Sequence, residues 1–419
     1  MLTSTLPKLR CPYPRGKSTC GGEFELKSAQ GKKPVAGAGP DVSEIEWGSL
    51  VCRKCRARFP ILAGVAVVVP DVGGYLTEHV KGISAAVPDE AIPEEYRDDY
   101  LAAKEEIETG HIEEDLEAER VNALYLMNHY LRADRGQRWW EPHPGAQAPA
   151  GAAPGAPHSA ASPQASPLVA QLIEQHWDQG PFSVIEGWLS PGAAQPSAQS
   201  ARPPSAPPNG RPATLPNARP ATVELGCGVG GLEPRLRPFL SSYLGVDSSF
   251  ASIARARHLA LGFAWKGSHR IPEDLLQGPV SRKIDLPPGQ PNAGASDFIV
   301  GDLALPPLAP GLWDLSIALN AIDMLEEPSD LPDVQALLVR PGGQVIQSCP
   351  YIWHEAVARK LRKRLPKGVR GSAAAAEWLY EQAGFRVTQR QDHVPWLFYK
   401  HLRQLEIYSV HLFQAVKSS

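Results

Sequence analysis

No run of about 18 apolar residues occurs anywhere in the chain, so a membrane-spanning helix is not expected. Met1 to Arg10 lacks the apolar stretch of a secretory signal, which makes a cytoplasmic protein the expectation. An excess of one charge is missing too: 42 Lys and Arg against 45 Asp and Glu give a net charge of −3. Nothing global therefore draws the chain to nucleic acid or anionic membrane, and polyanion binding would need a local patch. Cysteine is sparse, with six in 419 residues, and its placement argues against a disulfide scaffold. Four lie in the first 55 positions, and two of these form Cys52-Arg-Lys-Cys55, a metal-ligand spacing that suits a reducing compartment.

What is present divides the chain. A length of 419 residues exceeds what one hydrophobic core usually supports, and 42 prolines are too many for regular elements, so folded units joined by linkers are expected. Residues 1–72 hold the four clustered cysteines and end in the strand-like run Ile61 to Val69, closed by Pro70. Residues 73–141 form a helical connector, with Val121, Leu124, Leu126 and Tyr130 at helical spacing. Residues 142–167 and the insertion 190–221 are dominated by Pro, Ala, Gly, Ser and Gln, which cannot bury enough apolar surface to order. The unit 168–419 begins with a helical segment to Leu189, carrying Leu168, Leu172, Ile173 and Trp177 on a packing face. From Ala221 onward strands and helices alternate, which predicts a doubly wound, mostly parallel α/β sheet covered on both faces. The strand candidates are Thr222–Leu225, Tyr243–Val246, Asp297–Val300, Asp314–Leu319 and Gln344–Gln347, with Phe385–Val387 and Ile407–Ala415 as the last two. Residues 262–294 read as an irregular insertion.

Thr222-Val-Glu-Leu-Gly-Cys-Gly-Val-Gly-Gly231 is an apolar strand running into a glycine-rich turn, where the backbone must approach a ligand with no Cβ in the way. Gly226, Gly228 and Gly231 satisfy the dinucleotide pattern G-x-G-x-x-G. Glu224, Gly226, Gly228 and Gly230 equally give E-x-G-x-G-x-G, so the loop alone does not choose. Its surroundings do: Glu224 can receive an ammonium group but would repel a pyrophosphate. Asp247 ends the second strand about 20 residues after the loop, placed for ribose hydroxyls. Asp302, followed by Leu303, ends the third strand, where an adenine amino group would lie.

This series resembles the class I S-adenosylmethionine-dependent methyltransferases over roughly 200 residues. The resemblance implies a Rossmann-like domain that binds S-adenosylmethionine through Glu224, Gly226, Cys227, Gly228, Gly230, Asp247, Ser248, Asp302, Leu303 and Asn320. Two other classes stand beside it: a catalytically silent RNA- or protein-binding module, and a nicotinamide-dependent oxidoreductase, which the acid at Glu224 disfavours. Asn320 and Asp323 close the fourth strand, and Ser348-Cys-Pro-Tyr351-Ile-Trp-His354 follows the fifth. These two elements resemble parts of the ovothiol-type methyltransferase domain, which implies that Asn320, Asp323 and Tyr351 contact the methyl acceptor, an imidazole by that likeness. Met324 departs from the pattern, standing where those relatives often have Arg. Residues 359–370 carry seven basic side chains, either a solvated helix face or a holder of RNA or an acidic protein.

Cys11, Cys20, Cys52 and Cys55 can close a tetrahedral zinc site, or remain four free buried thiols. Eight residues separate the first pair, where two to four are usual. The run from Gly48 to Gly64 with Val67–Pro70 resembles the zinc-ribbon activator subunit of several tRNA, rRNA and release-factor methyltransferases. That resemblance implies a small zinc-ribbon-like α+β domain with structural Zn2+, acting as an activator in cis, so that no separate activator subunit is required. Pro14 stands where a second cysteine often falls. The acceptor is left open as a small molecule, protein or RNA.

Overall fold

The computed structural model describes residues 1–109 apart from 17 and 36, residues 122, 124–126, 128–130, 167–176, 179–190, 219–271, 280–291, 294–401 and 404–418. The proline-rich segments 142–166 and 191–218 lie outside the described residues, as do Val121 and Trp177.

The N-terminal lobe is an antiparallel sheet of β1 (Phe24–Gln30), β2 (Trp47–Cys52), β3 (Arg58–Leu62) and β4 (Val65–Ala66), in that spatial order. The apolar run from Ile61 to Val69 was expected to be one strand, but it turns back on itself. Ala63 and Gly64 both have positive φ, 47° and 83°, the two-residue turn that matches the twist of a hairpin. Leu62 then pairs with Val65. Beyond the hairpin, Val67 makes a parallel bridge to Val300, with the Val68 N–H donating to the Val300 carbonyl at 3.0 Å.

That contact extends the central seven-stranded sheet. Its strands are β5 (Ala221–Leu225), β6 (Ser242–Asp247), β7 (Ser296–Val300), β8 (Trp313–Leu319), β9 (Val339–Cys349), β10 (Phe385–His401) and β11 (Gln404–Lys417). The spatial order is β7-β6-β5-β8-β9-β11-β10, with the first five parallel and β11 antiparallel to both of its neighbours. Order reverses between β5 and β8, the switch point at which open α/β sheets bind ligands. The inserted antiparallel strand distinguishes the sheet from the dinucleotide order 3-2-1-4-5-6 and gives the expected class I methyltransferase arrangement.

Residues 262–294 contain regular structure after all. Trp265–Ile271 and Val280–Leu286 pair as an antiparallel hairpin in unbroken register. The final two strands are 17 and 14 residues long, far beyond the short runs expected, because their outer halves leave the sheet as a two-stranded arm. Alternation of Trp396, Phe398 and Lys400 with Leu397 and Tyr399 gives that arm one face toward a cleft and one toward a second small core holding Leu124, Leu126 and Ile173.

The helices between residues 72 and 109 are α1 (Val72–Glu78), α2 (Val80–Ser84) and α3 (Glu94–Thr109). They join the main core rather than merely linking two bodies: the Tyr75 hydroxyl donates to the Ser248 carbonyl at 2.7 Å, and one continuous apolar core runs from Leu9 and Phe59 to Val246 and Ile299. At the lobe interface Asp297, 3% exposed, accepts from the Leu2 N–H at 2.8 Å and pairs with Arg257, which also binds Glu44 at 3.0 Å. A charge this deep is tolerable only because every partner is present.

Candidate functional site

Parallel register brings the C-terminal ends of β5, β6, β7 and β8 to one edge: Leu225 pairs with Val246 and Ala318, and Asp247 with Val300. The glycine loop leaves β5 there. Gly226 and Cys227 both donate their N–H to the Val246 carbonyl, at 2.8 and 3.2 Å. Gly228, at φ +52° with open space where a Cβ would stand, donates its N–H to Asp247 Oδ2 at 2.9 Å. Ser249 N–H holds Oδ1, also at 2.9 Å. Burial pushes the Asp247 carboxyl up against the pull of these main-chain donors. A Cβ on Gly226 would lie 3.7 Å from Ala321 Cβ and 3.9 Å from Leu303 Cδ1, so the loops after β5, β7 and β8 converge at this point. Asp302 sits in the β7 loop with Oδ1 accepting from the Ala304 N–H at 2.8 Å. Ser248 is exposed at the tip of β6, whereas the Cys227 side chain is buried beneath the loop against Gly245. Any ligand contact from Cys227 is therefore made by its main chain. The helix expected after the loop is only one turn, Glu233–Leu236.

Glu224 is buried and accepts a hydrogen bond from the Tyr243 phenol. Among the described residues it has no cationic partner. Burial raises its pKa to about 8, opposed by the Tyr243 hydrogen bond and reinforced by the charges of Asp247 and Glu233. A positive charge brought beside it would draw the group back to its carboxylate form.

Helical residues 122, 124–126 and 128–130 cross over the loop. The Tyr130 hydroxyl donates to the Val229 carbonyl at 2.8 Å, and the Asn128 side chain pairs with both main-chain groups of Tyr399, at 2.9 and 2.8 Å. His129 packs so tightly on the loop that a Cβ at Gly231 would lie 2.4 Å from its own Cβ. Gly231→Ala is thus expected to cost about 1–3 kcal/mol by overpacking, seen as a melting temperature lowered by several degrees. An unchanged melting curve would mean that this helical stretch moves aside at no cost.

A cavity of about 570 Å³ opens beside the loop. Asn320, Asp323, Met324, Pro350, Ile352 and His354 line one side, and Tyr125, Trp396, Phe398, Lys400, Glu406 and Tyr408 the other. Asn320 is at φ +53°, with its N–H on the Ser348 carbonyl at 2.7 Å, and Asp323 is buried with Oδ2 accepting from the Ile352 N–H at 2.7 Å. Of the three residues proposed for the acceptor, the structure brings Asn320 and Asp323 together and takes Tyr351 elsewhere. At φ +60° Tyr351 turns away between its cleft-lining neighbours, its hydroxyl 2.8 Å from His411 Nδ1, while His411 Nε2 lies 3.2 Å from Glu377. Tyr125, Phe398, Lys400, Glu406 and Tyr408 escaped the sequence reading, although the alternation Trp396, Phe398, Lys400 carries the signal for a strand with one aromatic face.

In the lobe, Cys11, Cys20, Cys52 and Cys55 place their sulfurs within 4.8 Å of one another. Cys11 and Cys55 are 3.6 Å apart, Cys20 and Cys52 3.7 Å. Four sulfurs at about 2.3 Å from a tetrahedral ion would be about 3.8 Å apart, so the donor set fits zinc. The long first spacing is absorbed by a miniature hairpin, Pro14–Arg15 against Ser18–Thr19, which returns Cys20 to Cys11.

Strand order, glycine loop and tip acids define a class I methyltransferase-type Rossmann-like domain carrying a small four-cysteine lobe. No family model matches the sequence, and no curated protein matches it. Among solved structures the chain is similar to one from the complex between the Haloferax volcanii Trm112 methyltransferase activator and a methyltransferase (16% identity, 48% of this chain, 83% of that one, TM-score 0.32). It is also similar to magnesium protoporphyrin IX methyltransferase from Synechocystis PCC 6803 with bound SAH (20%, 48% and 74%, TM-score 0.30). A third is a SAM-dependent methyltransferase from Thermotoga maritima (16%, 49% and 84%, TM-score 0.29). The fold assignment rests on this chain's own strand order. Among the described residues no helix is long and apolar enough to cross a membrane.

Proposed function

We propose that the chain is an S-adenosylmethionine-dependent methyltransferase whose lobe, folded around a structural zinc ion, acts as an activator in cis. The observation that carries this is that Glu224, Asp247 and Asp302 stand at the C-terminal ends of the adjacent strands β5, β6 and β7, beside the point where the loops after β5, β7 and β8 meet at Gly226. Glu224 would hold the cofactor's ammonium group, Asp247 its ribose hydroxyls and Asp302 its adenine, with Ser248 and Leu303 flanking. When bound, S-adenosylmethionine supplies an electrophilic methyl group. What remains for this chain's residues is alignment and exclusion of water. Asn320 and Asp323 orient the acceptor, Asp323 is placed to take a proton from it, and the aromatic wall keeps the cleft dry. The work is divided between a lobe of residues 1–72, a connector of 73–141 and a catalytic unit of 168–419.

Calorimetry with S-adenosylmethionine, S-adenosylhomocysteine and NAD tests the reading, and binding of NAD alone would overturn it. The raised pKa of Glu224 adds a signed expectation. Binding the ammonium group favours the carboxylate, so at pH 7 complex formation releases a proton, and affinity rises roughly tenfold from pH 6.5 to 8. Titrations in two buffers of different ionisation enthalpy read the proton directly, and zero exchange would remove Glu224 from the site. Without ligand, the folded chain holds this proton and the unfolded chain does not, so this group's contribution to stability declines as pH climbs from about 4.5 to 8.

A further inference from the structure

We infer that the acceptor is single-stranded nucleic acid, with a base entering the aromatic cleft while its flanking phosphates lie along the basic helix at the cleft mouth. This rests on the methyltransferase reading and adds to it the class of substrate. The helix is Glu355–Arg364, about 15 Å long. It buries Val357 and Leu361, and turns Arg359, Lys360, Arg362, Lys363 and Arg364 outward, followed by exposed Lys367 and Arg370. The helix starts at the cleft. His354, at its N-cap, lines the cavity, and Arg364 pairs with Glu327, three residues beyond the lining residue Met324. Lys360, Arg362, Lys363, Lys367 and Arg370 make no ion pair among the described residues. Like charges gathered and left unneutralised beside a site raise the local concentration of a polyanion, even on a chain whose net charge is −3.

The cleft supplies what phosphate binding lacks. Four aromatic side chains, Tyr125, Trp396, Phe398 and Tyr408, line it together with groups that donate and accept hydrogen bonds, namely Asn320, Asp323, Lys400 and Glu406. Trp396 and Tyr408 are directly paired across the arm, and the Trp396 ring is backed by His129 with centroids 6.3 Å apart and planes 26° apart. Flat faces with polar groups at their edges suit an unstacked base. An acidic peptide would use the helix but leave the aromatic wall idle.

The test measures binding of a fluorescein-labelled 12-nucleotide RNA to the full chain, by anisotropy, with S-adenosylhomocysteine at saturation. Three phosphate contacts predict a salt slope near −2, so affinity should fall about 20-fold between 50 and 200 mM salt. A combined Arg362→Glu, Lys363→Glu and Lys367→Glu variant should lose at least 30-fold and flatten that slope, with melting temperature and S-adenosylhomocysteine affinity unchanged. Trp396→Ala should lose roughly tenfold with the slope intact, because stacking carries no counterion term. Should that variant fail to fold, Phe398→Leu replaces it. No RNA binding at 50 mM salt, an unaffected charge-reversal variant, or equal competition by polyglutamate of the same length would overturn the inference, the last pointing to an acidic protein instead. If S-adenosylhomocysteine itself fails to bind, the methyltransferase reading falls, whereas loss of RNA binding alone leaves that reading standing.

Discussion

Asp247→Ala is expected to weaken S-adenosylhomocysteine binding by more than a hundredfold. Two charge-assisted hydrogen bonds to the ribose would be lost, each worth roughly 1.5–3 kcal/mol. The carboxylate also clamps the Gly228 and Ser249 amides, so its removal loosens the loop before any ligand arrives. Asp247→Asn separates the two effects: one amide oxygen still accepts from the main chain, and affinity should fall less while the melting temperature stays near that of the parent. Calorimetry at a temperature where each variant is folded gives the numbers. An alanine variant that binds within threefold of the parent would place the ribose elsewhere.

Cys52→Ser is expected to unfold the lobe without first touching the chemistry. Zinc held by four thiolates has no open position, so it cannot serve as a Lewis acid, and its contribution is to folding. Elemental analysis should find one zinc per chain. The serine variant, or the parent after chelation, should lose about 5 kcal/mol or more from the lobe and show an additional low-temperature transition. Solubility should fall with it. Once Val67 and Val68 leave Val300, β7 becomes an open sheet edge ready to pair with another chain. Zinc-free protein of full stability, or a Cys52→Ser variant that melts like the parent, would overturn the metal assignment.

The central sheet was legible in the sequence because its parallel strands are buried on both faces and read as continuous apolar runs ending at Leu225, Asp247, Val300 and Leu319. The tip acids were legible because loop and strand spacing fix them. Three features were not. The turn inside Ile61–Val69 depends on a positive φ at Ala63, which no residue-type rule for glycine or asparagine would flag. The docking of the lobe through Asp297, Arg257 and Glu44 joins charges far apart in sequence, and each taken alone reads as an ordinary surface residue. The arm bearing Trp396, Phe398 and Tyr408 hid because its strands continue past the sheet that suggested where they should stop.

The bond from Leu2 to Asp297 closes a separation of 295 positions. At about 5–20 residues per second of synthesis, the completed lobe, ending near Val68, emerges about 12–46 s before Val300 of the strand it docks on. During that interval it must persist on its own, and a metal-clasped unit can do so where a bare 70-residue sheet would be marginal. Once β7 appears, a preformed Val67–Val68 edge offers it a template, and the slow long-range pairing becomes the docking of a strand onto a finished surface. Metal supply during synthesis would then govern the yield of the catalytic half.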